Sequence, residues 1–300
     1  MDSKSYKKGI RVGKFLDLTE SAIIPILHRN TKDLKITKNL RYGDGPREEY
    51  DVIELDRETL RPVIFYVHGG GFISGVRAMR TYISAEYARA GYRVFNLDYQ
   101  LAPSEVFPYQ IHQLAKAIDY VISKKEEYNL DLSKVIIAGE SAGGFLSSYL
   151  ANVITNENLS KAIDVKLKTL GEFNLDSVVL LNGCYSAKSM SKLPFPNMPT
   201  FVKSFFDATK EELEQMDEEK VSLLSVLDHI TSSFPKTVVG RSKADGLDAE
   251  SVLLIEQLKA NNVPYVEFMA GGINSPHGWC LATFTKEGKR CLDITLDYIK

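Results

Sequence analysis

The sequence predicts an α/β protein, with a mostly parallel central sheet flanked by helices and a helical cap. Three observations predict it. From residue 62 onward, short apolar runs rich in β-branched residues alternate with segments of helical periodicity. One run, Val135-Ile136-Ile137-Ala138, stops at Gly139 and turns through Ser141 and Gly143 into a helix-like stretch at 145–153. Another, at 62–67, ends in His68-Gly69-Gly70-Gly71-Phe72.

Residues 1 to about 32 read as helix, with Phe15, Leu16, Leu18, Ala22, Ile23, Ile26 and Leu27 at helical spacing and a kink or restart expected at Pro25. Residues 1–33 therefore form an N-terminal helical segment, either a packed terminal helix or part of a cap. The main domain is expected over 34–300. Its first two strands, 35–40 and 49–55, flank the turn-rich Tyr42-Gly43-Asp44-Gly45-Pro46 and should make an antiparallel hairpin at the sheet edge. A buried strand at 62–67, a helix at 82–90 and a strand at 92–99 follow. The stretch 100–108 is a loop holding Pro103 and Pro108. Ile111, Leu114, Ala115, Ile118, Val121 and Ile122 then mark one face of a helix that also carries His112.

Beyond the Ser141 turn, 159–174 reads as a charged, irregular connection and 175–183 as a buried strand. No strand is expected from 185 to 233. That stretch holds Pro194, Pro196 and Pro199, an aromatic cluster (Phe195, Phe201, Phe205, Phe206) and the acidic stretch 210–220. An insertion of that size is a lid candidate, whose aromatics either line a pocket or anchor the lid. The sheet resumes at 236–240 and 263–269, with helices at 249–260 and 284–299.

Composition narrows the class. With 44% hydrophobic and 25% charged residues the composition is that of a soluble globular protein, and 300 residues fit one large α/β domain with a lid or two small domains. A net charge of −2 points neither to nucleic acid nor to an anionic surface. No apolar run approaches the roughly 20 residues that span a bilayer. Residues 1–13 are polar and basic, so no signal peptide is expected. Cys184, Cys280 and Cys291 lack metal-ligand spacing. They read as free thiols of a cytoplasmic protein, with a Cys184–Cys280 bridge as the alternative. No metal and no cofactor is implied. A homodimer is compatible with this composition.

Gly139, Ser141 and Gly143 spell G-x-S-x-G, which on a strand-turn-helix path places a Ser hydroxyl at the apex of a strained turn. The bland alternative is an ordinary turn. Three glycines straight after a buried strand suit a loop whose bare N–H groups approach a ligand closely. Acyl transfer needs such donors for its oxyanion, and Gly70, Gly71 and Ala142 are the candidates. His68 opens that loop and reads as a brace rather than a base. A Ser nucleophile needs a base and a carboxylate to orient it. Of the five His, His28 and His112 lie in helices and His229 late in the insertion. With His68 set aside as a brace, only His277 follows a sheet strand, which makes it the base. Asp245, after the 236–240 strand, is the acid candidate, and Asp248 is either the alternative or the cap of the next helix. Phe72, Glu140 and Phe205 are candidate substrate-binding residues.

With His68-Gly-Gly-Gly-Phe72, Asp98-Tyr-Gln-Leu-Ala-Pro103, Gly139-Glu-Ser-Ala-Gly-Gly144, Asp245 and His277 in sequence, the chain resembles the hormone-sensitive-lipase-like carboxylesterases of the α/β-hydrolase superfamily from about residue 60 onward. The resemblance implies the α/β-hydrolase fold, a Ser141–Asp245–His277 triad and an oxyanion hole at Gly70, Gly71 and Ala142. The chain departs from the family pattern at Gln100, where Arg is frequent, and at Ser104, where Glu is frequent. Its acid stands further from its strand, and its N-terminal segment differs from the usual cap. The expected function is hydrolysis of short- to medium-chain acyl esters through an acyl-enzyme on Ser141, with a small-molecule ester as substrate. An arylformamidase-type amide hydrolase is the first rival, suggested by the stretch from Tyr42-Gly43 to Tyr50-Asp51. A non-catalytic small-ligand-binding protein on the same fold is the second.

Overall fold

The structure, a computed structural model, describes residues 1–27, 31–271 and 275–300, with backbone alone over 19–27. The expected packing of Ala22, Ile23, Ile26 and Leu27, the helical placement of His28, and the 272–274 part of the last loop lie outside the described residues.

Eight strands form one sheet in the order β1-β2-β4-β3-β5-β6-β7-β8. They are β1 (Lys35–Arg41), β2 (Glu49–Glu54), β3 (Arg61–Val67), β4 (Arg93–Leu97), β5 (Leu130–Glu140), β6 (Leu175–Leu181), β7 (Lys236–Ser242) and β8 (Tyr265–Ala270). β1 and β2 make the antiparallel hairpin expected at the edge, and β2 joins β4 antiparallel. Every other pairing is parallel. The helices are α1 (Ser3–Leu27), α2 (Thr81–Arg89), α3 (Tyr109–Ser123), α4 (Lys125–Tyr128), α5 (Ala142–Thr155), α6 (Glu157–Ala162), α7 (Ala187–Met190), α8 (Met198–Phe206), α9 (Lys210–Gln215), α10 (Glu218–Ser222), α11 (Asp248–Ala260) and α12 (Lys286–Tyr298).

The continuous apolar run of β3 follows from burial on both faces. Val63, Phe65 and Val67 face a core shared with Ile111, Leu114 and Ile118 of α3 and Phe145 of α5. Ile64 and Tyr66 face the other core, with Ile83 and Tyr87 of α2 and Leu292 of α12. From β3 the chain crosses to β4 on one side and then to β5 on the other. The crevice at such a reversal, beyond the carboxyl ends of the strands, is where open α/β sheets bind ligands. The loops after β3 and β5 meet there.

Two expectations need correction. α1 does not restart at Pro25; it runs on to Leu27 and stops short of 32. Pro25 lacks the N–H that would bond four residues back, so the helix passes it with one hydrogen bond fewer. The 159–174 connection is not wholly irregular, since α6 opens it, capped by Asn156, whose side chain accepts the N–H groups of Asn158 and Leu159. Over 185–233 no strand forms among the described residues. Four short α-helices, a 3-10 turn at Leu227–His229 and a single Ser186–Ser225 bridge take its place. Glu250 of α11 anchors this stretch, its carboxylate accepting the N–H groups of Tyr185 (2.7 Å) and Ser186 (3.2 Å). Burial pushes the Glu250 carboxyl above its ordinary value.

Candidate active site

Ser141 links β5 to α5 at φ 55° and ψ −123°, a conformation that costs energy for any residue with a Cβ. Its flanking glycines are required by space. A Cβ on Gly143 would come within 2.1 Å of the Val67 carbonyl oxygen, and one on Gly139 within 2.4 Å of the Gly143 oxygen. The turn is held by the Ser141 N–H to the Leu181 carbonyl (2.9 Å) and by the Gly144 N–H to the Ser141 carbonyl (2.9 Å).

His277 and Asp245 reach this turn from the loops after β8 and β7. His277 Nε2 lies 2.9 Å from Ser141 Oγ. Its Nδ1 lies 2.9 and 3.0 Å from the two oxygens of Asp245. The buried Asp245 carboxylate also accepts Nδ2–H of Asn182 (2.6 Å) and the N–H of Leu247 (2.9 Å). Asp248 takes no part. It is the first residue of α11 rather than its cap, and it pairs with Arg241 (2.7 Å).

The N–H groups of Gly70, Gly71 and Ala142 have no hydrogen-bond partner among the described residues, and all three residues border the same cavity as Ser141 and His277. Gly70 (φ 121°) and Gly71 (φ 59°) occupy backbone conformations that side chains resist. The loop is braced from below. Buried His68 places Nδ1 2.7 Å from the Gly69 carbonyl and Nε2 3.1 Å from Asp98, and stacks on Tyr99 at 4.4 Å. Glu140 accepts the Gly69 N–H (2.6 Å) and Nε–H of Arg80 (2.6 Å) on one oxygen, and the Tyr66 hydroxyl (2.8 Å) on the other. Glu140→Ala removes the anchor of the Gly69 N–H. It is expected to lower kcat about a hundredfold with little change in KM, read by steady-state kinetics on p-nitrophenyl acetate.

Asp98 collects charge beneath the loop, bonded to Arg47 (2.5 Å), Arg77 (2.8 Å) and His68. These guanidinium groups arrive from elsewhere in the chain, while Gln100 stands at the position where the resembled family often has Arg. Burial pushes the Asp98 carboxyl up, but the hydrogen bond and charge of His68, with Arg47 and Arg77, outweigh it and hold the group below its ordinary value. A carboxyl depressed by folding stabilises the fold above its unfolded pKa of roughly 3.9, and that stability is lost as pH falls through the folded value. Asp98→Asn is expected to cost about 2 kcal/mol at neutral pH, since it removes the charged acceptor of Arg47 and His68, while Arg77 keeps Asp51 and Glu49. The gap to wild type should shrink below pH ~4, as read by urea unfolding at several pH values.

The cavity has a volume of ≈ 240 Å³. Its apolar wall comes from Leu16 of α1 and from Met190, Phe195, Met198 and Phe201 of the 185–233 stretch. Phe72 and Glu140 border it, though both Glu140 oxygens are engaged as described. Phe205 does not border it. Its fully buried ring stacks on Phe72 at 3.8 Å and packs edge-on against Phe107 and Phe145. The aromatic cluster therefore divides: Phe195 and Phe201 line the cavity, while Phe205 and Phe206 fill the core behind it. Sequence reasoning missed Arg80, Asn182 and Leu16. Arg80 and Asn182 lie 60 and 63 residues from the carboxylates they serve, so no local pattern marks them. Cys184 also borders the cavity, and burial pushes its thiol well above the ordinary range. All three cysteines are free and buried.

A parallel sheet with a Ser-bearing strand-turn-helix at its reversal, joined to His and Asp from the last two strand ends, is the architecture of an α/β-hydrolase. Residues 53–258 match the BD-FAE family model, and the chain belongs to that family. An esterase of Gibberella moniliformis (strain M3125 / FGSC 7600) is 26% identical over 239 residues, 76% of this chain and 70% of that protein. An acetyl esterase of Salmonella choleraesuis (strain SC-B67) is 27% identical over 228 residues, 74% of this chain and 66% of that protein. Among solved structures, esterase B of Lactobacillus Rhamnosis inhibited by a C4-C4 tributyrin phosphonate superposes with a TM-score of 0.83 at 20% identity, covering 100% of this chain and 96% of that one. The esterase of Pyrobaculum calidifontis gives 0.75 at 19% identity, over 97% and 92%. The resemblance to carboxylesterases read from the motifs agrees with these relatives. Among the described residues, no helix is long and apolar enough to cross a membrane.

Proposed function

We propose that the protein is a serine carboxylesterase acting on short- to medium-chain acyl esters. The observation that carries this reading is the hydrogen-bonded line from Ser141 Oγ through His277 to Asp245, opening into a cavity bordered by three unpartnered N–H groups. His277 takes the Ser141 proton as Oγ attacks the ester carbonyl. The resulting oxyanion is held by the N–H groups of Gly70, Gly71 and Ala142. His277 then hands the proton to the departing alcohol, which leaves an acyl group on Ser141. Water, activated by the same imidazole, releases the acid. Asp245 fixes the tautomer and stabilises the imidazolium throughout. Leu16 and the 185–233 stretch together act as the cap over this chemistry.

The cavity volume of ≈ 240 Å³ lies below the roughly 300–1,000 Å³ common for ligand pockets. The preference should therefore fall at the short end. Hydrolysis of p-nitrophenyl esters from acetate to palmitate tests this, with kcat/KM expected to peak at acetate or butyrate and to fall at least tenfold by octanoate. An optimum at palmitate, or no turnover of any ester, would overturn the reading. The formamide alternative gains nothing from the structure, since none of residues 42–51 borders the cavity. The three free thiols support a cytoplasmic setting.

A further inference from the structure

α1 has an outer face that the catalytic reading leaves unused. At 3.6 residues per turn, its basic side chains Lys4, Lys7, Lys8, Arg11 and Lys14 fall, with Phe15 and Leu18, within roughly one third of the helix circumference. All seven are exposed, Phe15 at 64% and Leu18 at 72%. None of the five cations has an ion-pair partner among the described residues. Of the acids on the described part of this helix, Asp2 caps it by accepting the N–H groups of Lys4 and Ser5, and Asp17 accepts the Gly75 N–H on the opposite face.

The orientation of this face is fixed by the opposite one. A Cβ on Gly9 would come within 2.5 Å of Ser204 Oγ on α8, and one on Gly13 within 2.2 Å of the Ile73 carbonyl oxygen. Leu16 borders the catalytic cavity, and the Asp17 carboxylate accepts the Gly75 N–H at 2.7 Å. The glycine face is thus pressed onto the domain and the lysine-rich face is turned outward.

We infer that this face docks the protein on an anionic lipid bilayer, with Phe15 and Leu18 entering the headgroup region and the basic side chains lying against the lipid phosphates and carboxylates. The two apolar side chains stand among the cations rather than on an opposite face, so one surface offers an anionic bilayer both electrostatic attraction and shallow apolar insertion. Lysine is depleted at protein–protein interfaces, so five cations around two apolar side chains fit lipid headgroups better than a protein partner. The net charge of −2 does not oppose this. At physiological salt the field decays over about 8 Å, so a bilayer senses the local patch rather than the whole molecule.

Co-sedimentation with phosphatidylcholine vesicles, with and without phosphatidylserine, tests the inference on the full chain. Binding is expected only with phosphatidylserine and should weaken as salt rises. At about fivefold per basic side chain, Lys7→Gln with Arg11→Gln and Lys14→Gln should weaken it about a hundredfold. Phe15→Ser with Leu18→Ser should weaken it at least tenfold. These positions are exposed, so both variants should melt within a few degrees of wild type, which separates lost binding from lost folding. The inference is overturned by equal binding to both kinds of vesicle, by no binding to either, or by binding that the charge variant retains. It is also overturned if the vesicle-free protein self-associates through this face and phosphatidylserine vesicles fail to compete.

Discussion

Ser141→Ala is expected to lower kcat for a p-nitrophenyl ester by about 10⁵–10⁶, leaving a residual ~10³–10⁴ over water from the oxyanion donors and binding. The same variant should melt close to wild type. Alanine keeps a Cβ at φ 55°, so it neither adds to nor relieves the strain of the turn. The bonds holding the turn are backbone bonds, from Ser141 N–H to Leu181 and from Gly144 N–H to Ser141, and they survive the change. Ser141→Gly makes the complementary control. It removes the Cβ that the conformation resists, so it should be as inactive as alanine and at least as stable. A pair of inactive variants with undiminished stability separates loss of the nucleophile from loss of the fold. Substantial turnover in either would remove Ser141 from the mechanism.

How far the sequence carries is visible at particular residues. The strand at 61–67 was legible because sheet burial on both faces leaves an unbroken apolar run at 62–67. Those at 93–97 and 236–242 were legible from the shorter pairs Val94-Phe95 and Val238-Val239, set among polar residues. β5 begins at Leu130, five residues before its legible part, because its entry through Asp131, Ser133 and Lys134 is only partly buried and carries polar side chains. The residues the structure gathers around Ser141 were legible through turn chemistry and chain order. Gly139 and Gly143 are demanded by carbonyl oxygens within van der Waals range, so they announce themselves locally. The supports were not legible. Asn182 reaches Asp245, Arg80 reaches Glu140 and Glu250 reaches Tyr185 through contacts 60 to 65 residues long. Phe205 shows the opposite error. Composition groups it with Phe195 and Phe201, but one helical turn separates Phe201 at the cavity from Phe205 in the core. Which side of that boundary a ring falls on depends on how α8 seats against Phe72 and Phe145, and periodicity within α8 does not fix that.

Asp245→Asn is expected to cost about 10⁴ in kcat with the fold intact, and Asp248→Asn almost nothing. Every group facing the Asp245 carboxylate apart from His277 is a donor: Asn182 Nδ2–H on one oxygen and the Leu247 N–H on the other. A carboxylate can accept all of them and still receive Nδ1–H of His277. An asparagine cannot, because one of its two positions becomes an NH₂ group. The Leu247 N–H is backbone and cannot turn away, so the amide oxygen settles there and the NH₂ takes the other position. Asn182 can rotate to present its own oxygen to that NH₂, which limits the stability cost. The NH₂ also faces His277 Nδ1, which then becomes an acceptor. The imidazole proton moves to Nε2, where it points at Ser141 Oγ and leaves no lone pair to receive the serine proton. The variant should therefore bind substrate with a KM near wild type and turn it over slowly. Its rate should rise with pH beyond the wild-type plateau, as hydroxide replaces the lost base. Asp248 bonds to Arg241 on the flank of α11, so its substitution should change stability slightly and the rate less than twofold. Comparing the two pH–rate profiles decides between the carboxylates. A collapse confined to Asp248→Asn would transfer the role, and equal losses in both would mean that the loop, not a single carboxylate, orients the base.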